Sequence, residues 1–85
     1  MSSYTFQFSR QAQKDIAKLT PKLRQKLKEI LQEVIASDPY VGKKLLGNLE
    51  GNYSYRLTYQ DRIIYSIDEE TRTIYIKRTR THYGE

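Results

Sequence analysis

The residues in this chain best suited to chemistry are arginines in its second half. Arg56, Arg62, Arg78 and Arg80 fall in three segments with strand-like alternation. Arg78 and Arg80 are two apart, so an extended backbone sets them about 7 Å apart on one face. Successive phosphates of a nucleic-acid strand have a similar spacing. Guanidinium groups at separations of about 7–10 Å repel by about 1 kcal/mol or more per pair, and a bound anion offsets that repulsion. The planar fork of arginine matches phosphate oxygens in a way lysine does not. His82 and Tyr83 follow directly. His82 is the one side chain whose ordinary pKa suits proton transfer near neutrality, and nearby cations favour its neutral form. Tyr83 can stack on an unpaired base or hydrogen-bond a phosphate. Plainer readings stay open beside these: arginines paired with Asp61, Asp68, Glu69 and Glu70, a surface His82, and a Tyr83 that packs the end of the chain.

Positioning these groups requires strands. Tyr4, Phe6 and Phe8 alternate with Thr5 and Gln7, which predicts a first strand. Ser9 is a candidate N-cap for a helix that places Ala12, Ile16 and Leu19 on one face. Thr20-Pro21 starts a second helix, with proline where its missing N–H costs nothing. Leu23, Leu27, Ile30, Leu31 and Val34 give that helix an apolar stripe, and Asp38-Pro39 ends it. Residues 40–52 carry three of the four glycines and read as a loop ending in a turn. Three strand patterns follow, over residues 53–59, 62–67 and 72–80, with an acidic turn at Asp68, Glu69 and Glu70. By period two, Arg72, Ile74, Ile76, Arg78 and Arg80 share a face. The expected fold is one α+β domain over residues 1–85. It has an N-terminal strand, a helical hairpin and a three-stranded antiparallel meander, with both helices on one sheet face and the other face bare.

Composition narrows the function classes. The 85 residues make one small domain, and their 38% hydrophobic content suits a folded chain. With no cysteine, disulfides, thiolate catalysis and cysteine-based zinc sites are excluded. One histidine and no carboxylate cluster predict no metal site and no cofactor. No apolar run approaches the roughly 20 residues that span a bilayer, and MSSYTFQFSR has no apolar segment of a signal peptide. A cytoplasmic protein without a membrane partner is therefore expected. The formal charge of +5 favours a polyanionic partner, although solubility alone also accounts for it. Residues 10–28 hold seven basic side chains, Lys14, Lys18, Lys22 and Lys26 among them, against the single acid Asp15. This surface could hold RNA through its phosphates, or be merely solvated.

The stretches FSRQAQKDIAKL, TPKLRQKL, GKKLLGNLEGNYSYRLTYQDRIIYSID and RTRTHYG carry a resemblance. They span nearly the whole chain, and the G-x-L-x-G block followed by Y-R-x-x-x-x-x-R-I-I-Y is the most specific. The chain resembles the RelE/ParE toxin superfamily of bacterial and archaeal toxin–antitoxin systems. The resemblance implies the α+β fold described above and a cognate antitoxin that wraps the toxin, with operator DNA met only through that complex. In members that cut messenger RNA on the ribosome, the arginine of the R-I-I-Y block binds the scissile phosphate and matches Arg62. The His-Tyr ending matches His82 and Tyr83, and strand-end arginines match Arg78 and Arg80. The implied catalytic set is Arg62, Arg80, His82 and Tyr83. Arg56, Arg78, Lys43 and Lys44 are implied phosphate contacts, and Lys14, Lys18, Lys22 and Lys26 implied ribosome contacts. One departure stands out: YoeB-like members carry a general-base glutamate in the loop where this chain has Lys43 and Lys44, with Glu50 out of register. RelE-like members carry lysines where this chain has Ser54 and Arg56.

The expected activity is metal-independent, ribosome-dependent cleavage of messenger RNA by its own 2′-hydroxyl. The alternatives are a ParE-like inhibitor of DNA gyrase, and a non-catalytic module that binds only antitoxin and DNA.

Overall fold

A computed structural model describes residues 4–80. Strand β1 (Thr5–Phe8) leads into helices α1 (Arg10–Ala17) and α2 (Pro21–Glu29). The expected caps are in place: the Ser9 and Thr20 side chains accept from the backbone N–H groups of Ala12 and Leu23. A short strand β2 (Lys43–Lys44) precedes β3 (Tyr53–Arg56), β4 (Arg62–Asp68) and β5 (Thr73–Arg78). The sheet is five-stranded and mixed, in the order β1-β5-β4-β3-β2. The expected meander β3-β4-β5 is its antiparallel centre.

Two features extend that expectation. First, β1 runs parallel to β5, Phe6 beside Ile74 and Phe8 beside Ile76. Second, residues 40–52 are more than a loop. Lys43 pairs with Ser54 and Lys44 with Tyr53, so the segment contributes an edge strand. Gly42 makes that docking possible, since a Cβ there would meet the Tyr65 hydroxyl at 2.5 Å and the Ser54 carbonyl oxygen at 2.9 Å. The Gly42 N–H donates to the Tyr65 hydroxyl, which in turn donates to the Pro39 carbonyl. Burial pushes the pKa of this phenol up to about 12.

The helices cover one sheet face, and the core is the layer between them. Ala12, Leu19, Leu27, Leu31 and Ile35 meet Leu57, Ile63, Tyr65, Ile74 and Ile76. After Glu29 the second helix continues as a π-helix over Ile30–Ile35, with the Ala36 N–H bonded to the Leu31 carbonyl five residues back. The wider turn delays the apolar stripe by one residue. Ile35 is therefore fully buried, where an unbroken α-helix would bury Val34.

The far end of the β4–β5 hairpin holds an exposed cluster. Glu69 accepts from the Tyr4 and Tyr40 hydroxyls and pairs with Arg72 at 3.0 Å. The Arg72 guanidinium lies 4.1 Å from the centre of the Tyr4 ring. The Tyr40 hydrogen bond, with that of Tyr4, holds the Glu69 carboxyl below the ordinary glutamate range. Arg72 is thus paired within its own hairpin.

The near end of β5 is held differently. Asp15 is 4% exposed and stands between α1 and the strand end. Its Oδ2 accepts from Arg78 Nε at 2.8 Å, the Thr79 N–H at 3.1 Å and the Arg80 N–H at 3.4 Å. Oδ1 accepts from Gln11 at 3.1 Å and from Arg78 Nη2 at 3.4 Å. Burial alone would raise the Asp15 pKa, but the bonds from Arg78, Thr79 and Gln11 outweigh it and hold the carboxyl below its usual value.

Asp15→Ala should destabilise the fold by about 2–4 kcal/mol in urea melts, because it leaves the buried Thr79 N–H and the Arg78 charge without their acceptor. With a lowered folded pKa, this stabilisation is present above the unfolded carboxyl value near about 3.9 and is lost as pH falls below it. The wild type should therefore lose stability over that acidic window, and Asp15→Asn should lose less of it.

Candidate phosphate-binding site

The two sheet faces follow from register. Tyr53, Tyr55, Ile63, Tyr65, Ile74 and Ile76 belong to the core or pack on it, so their neighbours face away from the helices. Lys43, Ser54, Arg56, Arg62 and Ile64 are those neighbours. Arg56 is directly opposite Arg62. Lys43 is opposite Ser54, Ser54 opposite Ile64, and Ile64 opposite Arg78. One end of this face therefore carries two adjoining rows with Lys43, Arg56 and Arg62 in them. Among the described residues none of these three cations forms an ion pair; the ion pairs there are Arg72–Glu69 and Arg78–Asp15.

Arg62 is half-buried, and its Nη1 donates to the Ser54 hydroxyl at 3.3 Å. This face is not bare at its centre, as sequence reasoning had it. Ser54 is 3% and Ile64 5% exposed although neither belongs to the helix-covered core. The bond to Ser54 limits the freedom of the Arg62 side chain and turns its head toward the adjoining row of Lys43 and Ser54.

Strand β5 breaks the simple alternation. Its register with β4 slips by one residue, with Tyr65 opposite Ile76 but Ile64 opposite Arg78, so Lys77 has no opposite residue. Sequence parity put Arg78 on the face of Ile74 and Ile76 together with Arg80. The structure instead gives the Arg78 guanidinium to Asp15 and to the Arg80 carbonyl. None of the acids considered from sequence holds it. Arg80 lies two residues beyond Arg78, and Arg62 two residues before Ile64, so both sit at the same end of the sheet. The same Asp15 fixes the Arg80 backbone there.

The remaining sequence candidates divide. Lys43 lies on the open face in the row beside Arg62, whereas Lys44 pairs with Tyr53 and falls on the other face. Lys14, Lys18, Lys22 and Lys26 are all exposed along the helical hairpin. His82 and Tyr83 lie outside the described residues. Sequence reasoning missed Ser54 and Asp15, the groups that orient Arg62 and the strand end. Asp15 had a visible signal, as the one acid in a run of seven bases. Among the described residues no group of three or more histidine, aspartate or glutamate side chains could hold a metal ion, and no helix is long and apolar enough to cross a membrane.

Comparison with known proteins settles the family. Residues 6–83 match the sequence pattern described as the ParE-like toxin of type II bacterial toxin-antitoxin systems. This chain is a member of the ParE-like toxin family. No curated protein matches it. Among solved structures, the ParE-like toxin fold is similar to a chain of the toxin-antitoxin complex RelBE2 from Mycobacterium tuberculosis. The identity is 33% and the TM-score 0.84, over 95% of this chain and 99% of that one. It is also similar to the YoeB dimer from Staphylococcus aureus, at 30% identity and a TM-score of 0.78 over 96% and 100% of the two chains. The intact RelBE complex of E. coli shares the fold at 24% identity and a TM-score of 0.76, over 92% and 95%.

Like charges placed directly opposite each other on a sheet are destabilising, by about 0.2–1 kcal/mol. Arg56→Gln should therefore raise the stability of this toxin by up to about 1 kcal/mol at low salt. The gain should shrink as salt screens the pair, which thermal melts at two ionic strengths would show.

Proposed function

We propose that this ParE-like toxin is an endoribonuclease that cuts messenger RNA on the ribosome, and that a cognate antitoxin restrains it. One observation carries the reading. Arg56 and Arg62 face each other on the open side of the sheet with no carboxylate paired to them among the described residues. An unneutralised guanidinium pair is costly alone and favourable with a bound phosphodiester.

In this reading the 2′-hydroxyl of the RNA gives up its proton to solvent water as its oxygen attacks the adjacent phosphorus. The bond from phosphorus to the 5′-oxygen breaks, leaving a 2′,3′-cyclic phosphate and a free 5′-hydroxyl. Arg56, Arg62 and Arg80 stabilise the charge that grows on the non-bridging oxygens. His82, which must take up a proton from solvent against the nearby cations, gives it to the departing 5′-oxygen, a contribution of about 10²–10⁴-fold in rate. Tyr83 orients the nucleotide, and Lys43 adds positive potential from the neighbouring row. The exposed lysines of the helical hairpin meet ribosomal RNA through its phosphates. The solved RelBE2, RelBE and YoeB–YefM assemblies are complexes of this kind of toxin with an antitoxin, and they support the same partnership here.

A second reading has a specific finding behind it, because the matching family is described as ParE-like. It makes the chain a gyrase inhibitor with the same fold. Induction followed by primer extension separates the two. The nuclease reading expects new message ends within codons, and their loss together with relief of growth arrest in Arg62→Ala and His82→Ala. Intact messages accompanied by double-strand DNA breaks would overturn it in favour of gyrase.

A further inference from the structure

The turn between β3 and β4 projects Tyr59 almost wholly into solvent, at 91% exposure. The turn itself is well held. Its Leu57 and Thr58 N–H groups donate to the Asp61 carbonyl, and the Thr58 hydroxyl accepts from the Gln60 and Asp61 N–H groups. Leu57, fully buried, anchors its base. The Tyr59 backbone is thus fixed while its ring buries nothing, so no packing within the described fold accounts for an aromatic there.

Beside the ring is an open hollow of about 410 Å³, lined by Lys26, Tyr55, Arg56, Leu57, Thr58 and Tyr59. Its size falls within the range of about 300–1,000 Å³ typical of small-ligand sites. It forms because β2 pairs only with Tyr53 and Ser54, which leaves β3 as the sheet edge from Tyr55 onward. The hollow is cationic and aromatic together: Lys26 comes from α2, Arg56 from the strand, and both are exposed. Arg56 also belongs to the pair with Arg62, so hollow and phosphate site share one residue.

We propose that this hollow is a subsite for a single nucleotide of RNA, with its base stacked on Tyr59 and its phosphate held by Lys26. It lies next to the nucleotide whose phosphate meets Arg56 and Arg62. The proposal takes its ligand class from the nuclease reading. It adds a path for the strand, from the open sheet face around the free edge of β3 toward α2. A stacked base is read by its flat face alone, so the subsite holds any of the four bases.

The test is binding of a single-stranded 2′-O-methyl RNA oligonucleotide, which its own 2′-oxygens cannot cut, to the purified full chain. Tyr59→Ala should weaken binding by about 5- to 150-fold, the loss of one base stack, while Tyr59→Phe stays within about twofold. An abasic nucleotide at one position should weaken binding by a similar factor in the wild type and by little in Tyr59→Ala. Lys26→Ala should flatten the slope of log affinity against log salt by about 0.7, one phosphate contact on a single strand. Both side chains are exposed, so the variants keep the fold. Unchanged binding in Tyr59→Ala, or no binding of the oligonucleotide by the wild type, would overturn the subsite. If Arg62→Ala stops message cleavage in cells while Tyr59→Ala binds as wild type, the subsite fails and the nuclease reading stands. Tyr59-dependent binding in a chain that cuts no message would support the subsite and remove the nuclease reading.

Discussion

One buried carboxylate decides how the business end of this toxin is arranged. Asp15 takes hydrogen bonds from the Arg78 side chain and from the Thr79 and Arg80 backbone at once. An isolated aspartate buried this deeply would give up its charge, and only the convergence of donors on both oxygens keeps it ionised. In return it fixes where β5 stops and where the chain after it begins. It also neutralises Arg78, so among the described residues the cations of this end without an ion pair include Arg56, Arg62, Lys43 and Arg80. A carboxylate on a helix thereby selects which arginines of the sheet remain available to a ligand.

The sheet achieves a second separation by register. The helix-covered face is apolar and closely filled. The opposite face carries Arg56 against Arg62, a pairing that a sheet built only for stability would avoid. The repulsion is small beside the Asp15 network. It is local, exposed and screened, whereas the Asp15 bonds are buried and charge-assisted. The fold can therefore hold an unfavourable pair at its surface without endangering its core. The one-residue slip between Tyr65 and Ile64 sets Arg78 opposite Ile64, and the bond to Asp15 then takes its guanidinium up.

Much of this was legible in the residues. The alternation of β1 and β4, the caps Ser9 and Thr20 and the helix stripe were all plain, because each is a local pattern. That β3 and β4 are neighbours was legible too, but not their register: a two-residue connection at Gln60-Asp61 would set Tyr59 opposite Arg62, whereas β3 ends at Arg56 and the longer turn brings Arg56 there. What sequence could not show is set by long-range contacts. Periodicity reveals neither the slipped register nor a partner 63 residues away, so it grouped Arg78 with Arg80 and left Asp15 out. A two-residue strand such as Lys43–Lys44 is too short to have a period, and its existence depends on the space above Gly42. The π-turn shifts the stripe from Val34 to Ile35 for a similar reason: helix geometry there answers to the sheet beneath it.

The parallel pairing of β1 with β5 sets the order in which the toxin can come into being. Thr5 has no strand neighbour until Thr73 exists, and Asp15 has no donors at the strand end until residues 78–80 exist. At a synthesis rate of about 5–20 residues per second, the first strand waits roughly 3–14 s for its partner. During that time the arginine-bearing end has no frame to hold it. The sheet of a growing chain is thus closed last at β5, the strand that joins its first-made segment to the β3–β4 hairpin.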